Sequence, residues 1–147
     1  MKIETRAFGT IEIDDDRVMK FVGPMLGFEG ANQYALLDVS PQSPFKIMQL
    51  VGNPDVSFLV TDPAPFFPEY QVDLSKEQLS DIGLEDPSKA ALMVVVNIRG
   101  GGKQLTANLL GPVVVNVENF QGKQIVLKAS GYRSDEPLSL ERSAPTA

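Results

Sequence analysis

The chain contains no cysteine and no histidine. The first absence removes disulfides, thiolate zinc sites and cysteine nucleophiles, and it suits a reducing compartment. The second removes Ser-His-Asp triads and histidine-ligated zinc, so any catalysis has to rest on carboxylate, lysine, tyrosine or serine chemistry. Long apolar runs are missing as well. "AALMVVV" at 90–96 falls far short of a membrane span, and the opening "MKIETRAF" lacks the apolar core of a signal peptide. Positive charge is sparse: 13 Lys and Arg, scattered along the chain, stand against 19 Asp and Glu for a formal net charge of −6. A polyanion such as RNA or DNA is repelled by that balance. The expectation is a cytoplasmic protein that touches neither membrane nor nucleic acid directly and carries no cofactor.

What remains is a chain of 147 residues, 43% hydrophobic, enough for one domain to bury its own core. Its dominant pattern is alternation with period two, the mark of half-buried strands. Ile3, Thr5 and Ala7 alternate with Lys2, Glu4 and Arg6, and "TIEID" after Gly9 repeats the pattern. Further runs at 17–22, 33–39, 45–51, 56–61, 91–98, 103–110, 112–119 and 123–129 are bounded by Gly, Pro, Asn, Asp or Ser. One segment reads as a helix. Ser75 caps "KEQLSDI", Gln78 completes a capping box, Leu79 and Ile82 supply an apolar edge, and Gly83 stops it. About nine or ten short strands with one short helix predict an all-β fold, a compact antiparallel barrel-like domain or a sandwich. Wrapping the sheet would shelter strands as apolar as "LMVVVNI", which otherwise leave exposed edges. The alternation fades after Tyr132, so the domain is placed at 1–132 and 133–147 is read as a flexible polar tail.

The loops carry the candidate sites. "DPAPFFPEY" at 62–70 packs three prolines, two phenylalanines and a tyrosine into nine positions. Proline fixes its own φ and lacks an N–H, so this is a stiff aromatic loop rather than a helix or central strand. Adjacent residues of an extended stretch point to opposite sides, which predicts one of Phe66 and Phe67 buried and the other at the rim with Glu69 and Tyr70. In "GPMLGFEG" (23–30) three glycines permit a shaped turn around Phe28 and Glu29, with Phe28 better placed in core packing. "NLLGPVVVN" (108–116) sets Asn108 and Asn116 at the ends of an apolar run broken by Pro112, which marks an edge, bulge or corner. The asparagines most simply satisfy nearby backbone groups.

Asp14, Asp15 and Asp16 lack the alternate spacing of a calcium loop and read as a solvated turn. "RGGGKQ" (99–104) lacks the spacing of a phosphate loop and lies between strands, so it reads as a hairpin. Glu29, Glu69 and the triplet could supply a carboxylate pair for a small hydrolase, or line a carbohydrate-binding barrel, but any acidic chain offers such pairs.

"GPMLGFE" with Gly23, Gly27, Phe28 and Glu29, then "PFKIMQ", "DPAPFFPEY", "TANLLGPVVVN" and "KQIVL", occur in an order that resembles the FliW family of flagellar assembly factors from about Ile3 to Tyr132. Leu50 stands where Ser is expected, and Gly111 where Ala is common before the proline. The resemblance implies a barrel-like antiparallel fold, no catalytic activity, and two protein partners: flagellin and the translational repressor CsrA, whose capture relieves repression of flagellin synthesis. It makes Phe28, Glu29, Phe67, Glu69, Tyr70, Asn108 and Asn116 the candidate contact residues.

Overall fold

Alternation along the sequence becomes eleven strands, in a computed structural model that describes residues 1–23, 25, 32–128 and 130–140. Strands β1 (Lys2–Thr5) and β2 (Gly9–Glu12) form a separate hairpin with Ile3 opposite Ile11. Ile3 and Thr5 turn inward while Lys2 and Glu4 face solvent, the two-residue period of a half-buried strand. Asp15–Arg17 make a short 3-10 turn with no buried residue, which is the solvated acidic turn read from the sequence.

Next comes a meander: β3 (Val18–Phe21), β4 (Gln33–Asp38), β5 (Phe45–Leu50), β6 (Ser57–Thr61) and β7 (Ala90–Arg99) pair in succession, all antiparallel. The hairpin is tethered to the meander by the exposed Arg6–Asp55 ion pair. Between β6 and β7 run the aromatic loop and the helix α1 (Lys76–Asp81). Both halves of its capping box are made: Ser75 Oγ accepts from the Gln78 N–H at 3.1 Å, and Gln78 Oε1 accepts from the Ser75 N–H at 2.9 Å. The helix lies over the apolar face of the sheet, burying Leu79 and, just beyond it, Ile82 and Leu84 against Val114 and Ile125.

The remaining strands are β8 (Gln104–Ala107), β9 (Val113–Asn116), β10 (Gln121–Gln124) and β11 (Glu136–Leu138). They complete a nine-stranded sheet in the order β11-β8-β7-β6-β5-β4-β3-β10-β9, with β9 also pairing to β7. Strand β7 is long enough to serve two neighbours: Ala90 to Met93 pair with β9, and Val96 to Arg99 with β8. The sheet curls on itself in a barrel-like wrap through this shared strand and through the parallel β3–β10 seam, where only Lys20 and Phe21 find partners, Gln121 and Gly122. The seam demands glycine. A Cβ on Gly122 would lie 2.8 Å from Met19 Sδ and 3.2 Å from a Phe21 ring carbon.

Inside the wrap, Met19, Phe21, Met25, Tyr34, Met48, Val60, Met93, Val113 and Val115 form the main core. Tyr34 packs against Phe21 with ring centroids 4.9 Å apart. Its hydroxyl and that of Thr106 are buried with no hydrogen-bond partner among the described residues. Of "GPMLGFEG", Gly23 and Met25 are described, and Met25, 2% exposed, belongs to this core. Phe28 and Glu29 lie outside the described residues.

Two boundaries differ from the sequence reading. The last long strand begins at Gln121 rather than 123, because Gly122 has to abut β3; Ile125 and Leu127 continue by donating to the Pro112 and Leu110 carbonyls at 3.0 and 2.8 Å. The tail expected from 133 onward is also interrupted. Glu136–Leu138 pair antiparallel with β8, and Leu138 is 6% exposed in the cluster of Phe66, Val94, Val96 and Leu109. A three-residue strand containing a proline carries too little alternation to register in a sequence, yet one leucine and an edge partner hold it in place. "RGGGKQ" joins β7 to β8 as a hairpin turn, as expected.

Candidate functional site

The aromatic loop is shaped by its own short-range hydrogen bonds. Asp62 Oδ1 accepts from the Ala64 N–H at 3.0 Å, and the Pro63 carbonyl accepts from the N–H groups of Phe66 and Phe67 at 3.1 and 2.8 Å. The Phe67 carbonyl then accepts from the Tyr70 N–H at 3.0 Å. These turns, rather than an extended backbone, separate the two phenylalanines. Phe66 is wholly buried and stacks on Phe45 with centroids 5.8 Å apart, anchoring the loop in the second apolar cluster. Phe67 and Tyr70 are half-buried at the rim, and Glu69 is exposed. The expected division of the pair is therefore found, with Phe66 the inward member.

Tyr70 is fixed at both ends. Its hydroxyl donates to the Leu109 carbonyl at 2.6 Å, and its ring meets Tyr132 edge to face at 4.7 Å. Tyr132 is fixed in turn, its hydroxyl accepting from the Gln71 N–H at 3.2 Å and donating to the Gln71 carbonyl at 3.3 Å. Burial first, and the neighbouring Tyr132 second, push the Tyr70 phenol well above its ordinary pKa, so it stays a proton donor to Leu109. Around these rings runs an open groove of about 700 Å³, lined by Pro65, Phe67, Pro68, Glu69, Tyr70, Leu109, Tyr132 and Glu136. Hence Phe67, Glu69 and Tyr70 from the sequence-based set share one surface.

The asparagines divide differently. Asn108, half-buried beside Leu109, accepts through Oδ1 from the Gly111 N–H at 2.9 Å and so shapes the turn before β9. Asn116 is 1% exposed and faces inward: Nδ2 donates to the Ile82 carbonyl at 2.7 Å, while Oδ1 accepts from the N–H groups of Glu118 and Asn119 at 2.8 and 3.3 Å. It ties the end of α1 to the β9–β10 turn and offers nothing to a partner, which corrects its inclusion among contact residues. The latch is tight enough that a Cβ at Gly83, whose φ is +79°, would meet Asn119 Nδ2 at 3.0 Å. Sequence reasoning missed Tyr132, Leu109 and Glu136, which reach the groove from distant parts of the chain. Only the fold brings 132 and 136 to 67–70.

Among the described residues, the carboxylates with a resolved shift are all lowered. Asp38, Asp86 and Asp135 have pKa values held below the ordinary range, by hydrogen bonds from Lys46, from the Ser88 N–H and from Arg133 respectively. A general acid requires the opposite shift. Among the described residues no three or more of His, Cys, Asp and Glu are grouped to hold a metal. Nor is any helix there long and apolar enough to cross a membrane.

A wrapped, nearly all-antiparallel sheet with an open aromatic groove on its flank defines a small β protein. Comparison with known proteins specifies it further. The FliW protein family model matches residues 2–138, ending on the last residue of β11. Flagellar assembly factor FliW of Natranaerobius thermophilus is 36% identical over 139 residues, covering 94% of this chain and 92% of that one. That of Leptospira biflexa is 38% identical over 131 residues, 88% of this chain and 86% of the other. A crystal structure of the flagellar assembly factor FliW superposes with a TM-score of 0.86 at 31% identity, covering 93% of this chain and 96% of that one. The chain belongs to the FliW family of flagellar assembly factors.

Proposed function

We propose that this chain is a non-catalytic cytoplasmic regulator that binds flagellin and the translational repressor CsrA, and that capture of the repressor relieves its hold on flagellin synthesis. Family membership supports the setting. The single structural observation that carries the reading is the pre-organised groove of Phe67, Tyr70 and Tyr132, in which both tyrosine rings are held through their hydroxyls before any partner arrives. Rigid aromatic surface binds with little ordering entropy to lose. The formal charge of −6 adds long-range attraction to a basic RNA-binding protein and so speeds encounter.

The test is a calorimetric titration of the protein against purified repressor, with and without flagellin, together with stopped-flow association kinetics across a salt series. The reading expects complexes with both partners, mutual interference between them, and an association rate with the repressor that falls several-fold as salt rises. Absence of binding to either partner refutes it. A salt-independent on-rate with intact binding removes the steering component alone.

A further inference from the structure

The groove has an unusual chemical bias. Every side-chain donor in its lining is already engaged, since the Tyr70 hydroxyl donates to Leu109 and the Tyr132 hydroxyl to Gln71. Pro65 and Pro68 have no N–H, and the N–H groups of Phe67, Tyr70, Leu109 and Tyr132 are bonded to Pro63, Phe67, Arg133 and Ser130. What the surface still offers is ring faces and edges, phenol oxygen lone pairs, and the Glu69 and Glu136 carboxylates. It is a set of acceptors and π surfaces with almost no donors. Arg133 lies closer to Asp135 at 3.1 Å than to Glu136 at 4.0 Å, and Glu69 has no ion-pair partner among the described residues.

From this we infer that the groove receives an arginine side chain carried on an extended segment of a partner polypeptide. A guanidinium supplies only donors, lies flat on an aromatic ring while its N–H groups reach sideways to carboxylates, and brings an apolar stem to lie along the exposed Pro65 and Pro68. Lysine, a compact and strongly hydrated charge, meets the carboxylates without the stacking. A neutral segment brings Glu69 no countercharge, and an acidic one brings a like charge. The inference deepens the proposed function and rests on it only for the identity of the partners, because the selectivity belongs to the groove whichever polypeptide supplies the arginine.

The experiment uses dye-labelled decapeptides of one Ala/Pro frame with arginine, lysine, citrulline or leucine at the centre, titrated with the full chain and read by fluorescence anisotropy. Citrulline keeps the shape of arginine and removes its charge. The expected order is arginine tightest, lysine at least threefold weaker and citrulline at least tenfold weaker. The Glu69→Gln, Glu136→Gln double variant should bring arginine within twofold of citrulline while leaving citrulline unchanged. Tyr132→Leu should weaken arginine and citrulline together. Equal binding of arginine and citrulline, an arginine preference that survives the double variant, or no binding of any peptide overturns the inference. Flagellin and repressor are titrated in parallel to separate the two claims. Binding of those partners without arginine selectivity in the peptides defeats the groove inference alone; the reverse pattern defeats the proposed function alone.

Discussion

Replacing Asn116 by alanine separates a latch from a contact surface. In the folded protein its amide makes three hydrogen bonds, to the Ile82 carbonyl at 2.7 Å and from the Glu118 and Asn119 N–H groups at 2.8 and 3.3 Å, at 1% exposure. The two donors sit in the exposed turn after β9, where water takes over once Oδ1 is gone, so their loss costs little. The Ile82 carbonyl is different: it would keep only the 3.4 Å approach of Asn119 Nδ2, far weaker than the bond removed. Net hydrogen-bond values of about 1 kcal/mol, with about 1–3 kcal/mol for a buried group left unpaired, give roughly 2–3 kcal/mol for Asn116→Ala. For a domain of this size that is a fall in Tm of roughly 5–10 °C. Asn119→Ala removes the 3.4 Å contact, a 3.0 Å bond to Gln121 Oε1 and the 2.9 Å bond its Oδ1 accepts from the Gln121 N–H, the last two in an exposed turn where water substitutes, and should cost about 1 kcal/mol. Urea titrations followed by far-UV circular dichroism measure both, and partner binding well below the transition is expected to be unchanged in each. An Asn116→Ala protein that melts like the parent but no longer binds flagellin or repressor would refute the assignment of this residue to the fold.

Tyr34→Phe should raise stability by about 1 kcal/mol, because it removes a buried hydroxyl that has no partner among the described residues while keeping the ring against Phe21; calorimetry reads the sign. Phe66→Ala should cost about 3–5 kcal/mol, as expected for a fully buried ring, whereas Phe67→Ala should cost far less and weaken partner binding instead; equal losses of Tm would show both rings to be core. Burial raises the pKa of Tyr34, and burial with Tyr132 raises that of Tyr70, so the native state holds these phenol protons more tightly than the unfolded chain. The stability they contribute is complete below about pH 10, where unfolded tyrosine titrates, and declines as pH rises beyond it. Urea midpoints at pH 8 and 11, with tyrosinate absorbance recorded alongside, check this; full ionisation of all three tyrosines in the still-folded protein would contradict it.

Period-two alternation and turn residues located the meander from Val18 to Thr61 and the body of β7 because those strands announce themselves locally. The helix was equally legible, since Ser75, Gln78 and Gly83 form a start-and-stop signal within nine residues. Features made by distant residues were not. Neither the Gly122 contact with Met19 nor the placement of Tyr132 beside Tyr70 has any short-range signature. The site was half legible for the same reason. Proline density marked 62–70 as stiff and aromatic, but Leu109 and Glu136 enter only once β8 and β11 are paired. Asn116 allowed two readings, as a satisfier of nearby backbone groups and as a contact residue, and its bonds to Ile82, Glu118 and Asn119 match the first.

The parallel seam between residues 20–21 and 121–122 sets the order in which this molecule can be built. Neighbouring hairpins from β3 to β7 can zip as soon as they leave the ribosome, yet the outer edge of β3 must wait about a hundred residues for its mate. Such a high-contact-order closure belongs among the slower folding events, on the order of milliseconds to seconds. Until it happens, the nascent chain carries an open, apolar strand edge, and that interval is when chaperones or self-association compete for it.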